Sequence, residues 1–201
     1  MTTNPFIDIW LNTRLTTREI IDNNYKRLMN ALFGVSGIVW LYSRLTKMPQ
    51  YADKFDWLVI VIVTIPVGLL LGLILSRLIA LSIYWTGKLL DGKSSYKEVL
   101  RTTAYANVPS LGLLAMLIFK FLIFNKEPIS SLRPEMTDNV LIVSFITIVE
   151  AAIGIWTLVI YVKVVSETQR LTIGMTIINL LMAFTIVGLF NYFIVIKWLE
   201  S

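Results

Sequence analysis

The sequence predicts an all-α polytopic membrane protein, a bundle of five transmembrane helices preceded by an N-terminal interfacial helix. Two observations lead to this class. Of 201 residues, 56% are apolar and 15% charged, whereas soluble domains hold roughly 45–50% and 25%. The apolar residues are also gathered into runs long enough to cross a hydrocarbon core about 30 Å thick. With a mean hydropathy of +0.73, one small interior cannot hide so much apolar surface, and lipid must solvate the rest.

Composition also excludes several chemistries. The chain has no Cys and no His, which removes disulfides, thiolate or imidazole metal sites, histidine-based nucleophilic catalysis and a histidine pH switch. The net charge of +5 is dispersed among apolar runs without a continuous basic stripe, so nucleic acid is not an expected partner. No glycine-rich phosphate loop or spaced acidic metal cluster is present either, and neither an enzyme nor a cofactor is expected.

Residues 1–27 read as a cytoplasmic amphipathic head rather than a signal peptide, because TTREIIDNNYKR stands where an apolar stretch would be needed. Phe6, Ile7, Ile9, Trp10 and Leu11 suit the headgroup layer. Thr16 followed by Glu19 has capping-box spacing, which predicts a helix starting near Thr17 and running into the first span. The remainder, 28–201, forms the five-span domain, with spans at about 28–45, 57–85, 104–124, 140–165 and 173–198.

The first span is the least apolar, carrying Asn30, Gly34, Ser36 and Gly37, and a turn at Met48-Pro49-Gln50 follows it. In the second, Thr64, Gly68, Gly72, Ser76 and Ala80 recur every four residues; Gly68, Gly72 and Ser76 are the candidate stripe for close packing by another helix. Pro66 removes one helical hydrogen bond near the start of that span. The block from Thr86 to Thr103 reads as a basic cytoplasmic loop, with a turn at Asp91-Gly92 and a second capping box at Ser95 and Glu98. Pro109 predicts a broken start to the third span, and Lys120 is expected to stretch to the headgroups at its exit. Lys163, Glu167, Gln169 and Arg170 read as a short polar connection before the fifth span.

Orientation follows from the basic residues. A cytoplasmic N-terminus puts Arg14, Arg18, Lys26 and Arg27 of the head, Arg77, Lys88, Lys93, Lys97 and Arg101, and Lys163 and Arg170 on the inner side, the majority of the chain's Lys and Arg. Trp10, Arg14, Arg18, Lys88, Lys93, Lys97 and Arg101 are the candidate cytoplasmic interaction surface.

Glu150 is the residue most informative about activity. It lies in mid-run, where a lipid-facing carboxylate is costly and must turn inward, find a partner or take up a proton. Thr147, Thr157 and Tyr161 follow helical spacing around it, and with Asn107 and Asn179 they make a candidate intramembrane polar site. Arg77 is set aside as its partner, because it lies near the interface and can snorkel.

Two stretches resemble the Yip domain family, named for Ypt/Rab-interacting proteins. One is NPFIDIWLNTRLTTR, with Asn4-Pro5-Phe6, Trp10, Arg14, Thr16 and Arg18. The other is WTGKLLDGKSSY, Trp85 to Tyr96, followed by Ala104-Tyr105-Ala106-Asn107-Val108-Pro109. The resemblance implies five helices and a cytoplasmic N-terminus. The head is short and lacks the Asp-Leu-Tyr-Gly-Pro type of motif of the eukaryotic branch, so the chain looks more like a bacterial relative of the cytoplasmic membrane, and a Rab GTPase is not expected as a partner. The expected partners are membrane lipids and a membrane protein or a second copy of the chain. The expected function is a membrane-organising, protein- or lipid-binding scaffold; the alternative is a small-solute or ion carrier or channel with Glu150 in its polar pathway.

Overall fold

In a computed structural model, residues 4–45, 57–124 and 140–193 are described, and helices are the regular elements among them. The expected turn at Met48-Pro49-Gln50 lies outside the described residues. Pro5–Leu11 forms α1, with the Asn4 side chain accepting from the Phe6 N–H at 3.1 Å and Pro5 in the first turn, where its missing donor costs nothing. Thr13–Asp22 forms α2. It begins before Thr17 and does not continue into the first span: Asn24 and then Leu28 take positive φ, 54° and 59°, and break the chain. The expected box at Thr16 does not form. Its hydroxyl donates back to the Asn12 carbonyl at 3.1 Å, so it serves α2 one turn upstream.

Met29–Leu45 forms α3, and Trp57–Leu89 forms α4, uninterrupted by Pro66. The block expected as a loop after Thr86 is largely helical. Asp91, at φ 63°, turns the chain with Gly92, and α5 starts at Tyr96 and ends at Ala106. The box at Ser95 and Glu98 does form: the Ser95 N–H donates to Glu98 at 2.6 Å, and the Glu98 N–H to the Ser95 hydroxyl at 3.4 Å. Pro109–Phe124 is α6, separated from α5 at the predicted break. Val140–Gln169 is α7, which takes the supposed connection Lys163 to Gln169 into the helix and leaves the turn to Arg170, at φ 57°. Ile173–Asn191 is α8, capped by the Thr172 hydroxyl accepting from the Met175 N–H.

The protein is all-α and polytopic. Among the described residues four helical stretches are long and apolar enough to cross a membrane: Ile62–Leu89, Tyr96–Lys120, Val140–Gln169 and Ile173–Asn191. Helix α3, the expected first span, has 17 residues, about 25 Å of rise.

The chain divides into two compact units. One comprises Met1–Met29, Ile74–Ala106 and Leu158–Ser201, the other Asn30–Leu73 and Asn107–Thr157. Within the first, α1 and α2 pack on each other and on α5. Phe6 meets the ring of Tyr105 at 5.8 Å and Ile9 is fully buried, so these two head residues face protein, not the headgroup layer; Ile7 and Leu11 remain exposed. Within the second, α3 runs antiparallel to the start of α4 at backbone contact. A Cβ on Gly37 would strike Gly72 and the Gly68 carbonyl, and one on Gly72 would strike the Phe33 carbonyl. Glycines that lower the hydropathy of the first span are thus what let it approach the second.

Candidate functional site

The polar geometry of the first unit centres on a residue expected from the sequence to lie in a connector. Gln169, at the end of α7, is fully buried, and its amide is used at both ends. Its Oε1 accepts from the Ser94 hydroxyl at 2.6 Å, its Nε2 donates to the Ile83 carbonyl at 3.1 Å, and its backbone carbonyl accepts from the Lys93 N–H at 3.0 Å. The Asn179 side chain reaches the same Ile83 carbonyl from α8 at 3.2 Å, and Thr168 and Thr102 join α7 to α5 at 3.0 Å. A buried amide left without these partners would be costly, so the cluster fixes the ends of four helices relative to one another.

The two glycines of the α4–α5 turn exist for this amide. A Cβ on Gly87 would come within 2.6 Å of the Gln169 Cδ and 2.8 Å of the Asn179 Nδ2, and one on Gly92 within 2.7 Å of the Gly87 carbonyl oxygen. The turn closes with the Gly92 N–H donating to the Gly87 carbonyl at 2.8 Å and the Lys88 ammonium to the Gly92 carbonyl at 3.1 Å. From the head side, the Tyr105 hydroxyl donates to the Arg27 carbonyl at 2.8 Å.

This frame displays the candidate basic surface. Lys88, Lys93 and Lys97 are exposed, Lys88 lying 5.7 Å from the Tyr84 ring. Arg101 is half-buried, donating to the Lys97 carbonyl at 2.9 Å and to the Asn24 side chain of the head. Arg18 pairs with Glu167 at 2.5 Å, and that carboxylate raises its pKa above the ordinary value. Trp10 is half-buried, and Arg14 is exposed beside Lys163 in an open groove.

The intramembrane candidates are divided between the units. In the second, Glu150 pairs with Lys120 at 2.7 Å, the two side chains 30% and 15% exposed. Lys120 therefore reaches a carboxylate on α7, not the headgroups. The Thr147 and Thr157 hydroxyls donate within α7, to the carbonyls of Val143 at 2.8 Å and Ile153 at 2.7 Å, with Thr147 exposed. The Asn107 carbonyl accepts from the Ser110 N–H at 2.9 Å. In the first unit, Tyr161 is buried 6.3 Å from the Phe184 ring, and Asn179 belongs to the Gln169 cluster. Gly68, Gly72 and Ser76 are all buried. Among the described residues no group of three acidic side chains could hold a metal ion.

Both stretches that carry the family resemblance lie in this frame: Asn4-Pro5-Phe6 start α1 against Tyr105, and Gly87 and Gly92 close on Gln169. The model of the Yip1 domain matches residues 7–195. The chain belongs to the Yip1 domain family. It is therefore an integral membrane protein of a family of non-catalytic scaffolds. Membership also corrects the expectation that set a Rab GTPase aside. The Yip1 domain is defined as Ypt/Rab-interacting-protein-like, which implies such an interaction rather than speaking against it. No curated protein and no solved structure matches the chain.

Proposed function

We propose that this Yip1 protein is a membrane-organising scaffold whose docking surface is the basic end of the first unit, formed by the head, the α4–α5 turn and α5. The observation that carries this reading is the Gln169 cluster. It ties α4, the turn, α7 and α8 together beneath exposed Lys88, Lys93 and Lys97, so that the cations form a pre-organised patch with little ordering left to do on binding. A partner with an acidic face suits it, and the family points to a small GTPase of the Ypt/Rab type.

Parity supports five spans with the N-terminus in the cytoplasm. The head is bonded to α5 through Arg101 and Asn24 and to the end of α7 through Arg18 and Glu167, which supports a position on the membrane side where α4 ends. In that arrangement the chain leaves the head and returns at the end of α4 after two crossings, with α3 as the first of five spans. The basic residues gathered at this end favour the cytoplasm for it.

The test is binding of a purified small GTPase to the chain in lipid nanodiscs, with and without Lys93→Glu and Lys97→Glu together. Reversing two rim charges should slow association and weaken binding by about tenfold or more. Unchanged affinity in the folded double variant would remove the docking surface from this reading.

A further inference from the structure

We propose that the groove between the α1–α2 joint and α7 binds the headgroup of an anionic membrane phospholipid, with Arg14 and Lys163 on the phosphate and Leu11 and Leu15 against the start of an acyl chain. The groove has a volume of about 350 Å³ and is lined by Leu11, Asn12, Thr13, Arg14, Leu15 and Lys163. Two cations from distant parts of the chain meet there, and no carboxylate is among these lining residues. Arg14 makes none of the ion pairs found among the described residues, whereas its neighbour on α2, Arg18, is already neutralised by Glu167.

The apolar half of the site is as informative as the charged half. Leu11 is 78% exposed, Leu15 62% and Ile7 64%, and they follow one another at four-residue intervals along the head. By contrast, Ile9 and Ile20 of the head are covered by protein. A row of exposed leucines beside two cations is the pattern of a surface that meets lipid, where the side chains enter the acyl boundary and the charges stay with the phosphates. Depth agrees. Lys163 lies six residues before Gln169, the end of α7, which puts it about 9 Å below the helix end, at the level where a lysine meets headgroups. A soluble acidic peptide would meet the cations but leave the leucines in water, so a lipid is the occupant that uses both.

This inference rests on the head lying at the membrane face, as proposed above, but not on protein docking at the α4–α5 turn. The test is native mass spectrometry of the full chain in neutral detergent, titrated with dioctanoyl phosphatidylglycerol, dioctanoyl phosphatidylcholine or inorganic phosphate. The anionic lipid should bind saturably, Arg14→Gln and Lys163→Gln should each weaken it roughly sixfold, and the double variant about thirtyfold. Lys97→Gln, which removes a charge outside the groove, should leave it unchanged. Equal binding of phosphatidylcholine, full competition by inorganic phosphate at the same concentration, or an unaffected double variant would each overturn the assignment. Phosphatidylglycerol carrying a diazirine near the acyl carbonyl gives a readout on the unmodified chain. Its photo-adduct should fall on the peptide that contains Leu11 to Leu15, and adducts confined to other peptides would overturn the site even if the variants failed to fold. Loss of GTPase binding in the Lys93→Glu and Lys97→Glu double variant with lipid binding intact would separate the two readings.

Discussion

The two units hold their helices together by opposite means. In the second, α3 and α4 meet through glycines, so close that no side chain fits between the backbones at Gly37 and Gly72. In the first, α4, α7 and α8 are joined by amides and hydroxyls around Gln169. The difference follows from what each region has available. Within hydrocarbon there is no hydrophobic gain from helix association, so close van der Waals approach has to supply it, and small residues make the approach possible. At the membrane end, turns expose backbone groups that must be bonded, and a long amide such as Gln169 can satisfy several at once.

The comparison makes the glycine contact the more fragile. Gly72→Leu should be the most damaging replacement, because the added atoms meet the Phe33 carbonyl and the Gly37 backbone, which cannot rotate away; a loss of about 3 kcal/mol is expected in reversible unfolding from micelles. Unchanged stability would mean α3 and α4 do not touch.

Gln169→Leu should come next, at about 2 kcal/mol, since it strands the Ser94 hydroxyl and removes one of the side-chain donors to the Ile83 carbonyl. The more specific expectation is local: amide exchange should quicken through Gly92–Ser95 while α3 keeps its protection. Uniform loss of protection in both units would refute the division of labour drawn above.

A smaller effect is expected at the ion pair. Lys120→Met should destabilise the second unit by about 1 to 2 kcal/mol, less than a fully buried pair because Glu150 is partly exposed, and adding Glu150→Gln should restore much of it. The same variants test the carrier alternative. Solute or proton flux across liposomes that is present in the native chain and lost in folded Glu150→Gln would replace the scaffold reading with a transport one.

The smallest is Ser95→Ala, which removes one half of the box at the start of α5 and should cost about 1 kcal/mol, fraying α5 without changing α3 or α6. An intact α5 amide-exchange pattern would show that the Gln169 cluster, not the cap, sets where that helix begins.

What the sequence determined by itself was whatever is encoded within a few residues. Apolar runs required a membrane, Asp91-Gly92 required a turn, Ser95 with Glu98 started α5, Pro109 started α6, and the four-residue recurrence along α4 put Gly68, Gly72 and Ser76 on one buried line. Thr16 and Glu19 have the same local spacing as Ser95 and Glu98, yet there the box is absent, because the helix had already begun at Thr13 and a cap has no free N–H groups to serve in mid-helix. The partners of long polar side chains were decided only by tertiary structure. Gln169 and Ser94 are 75 residues apart, Lys120 and Glu150 are 30, and Arg18 and Glu167 are 149. Lysine near a span end can snorkel or pair, and glutamine after an apolar run can be solvated or buried. Local sequence gives both outcomes similar standing, and the choice falls to whichever helix packing brings a donor or acceptor within about 3 Å.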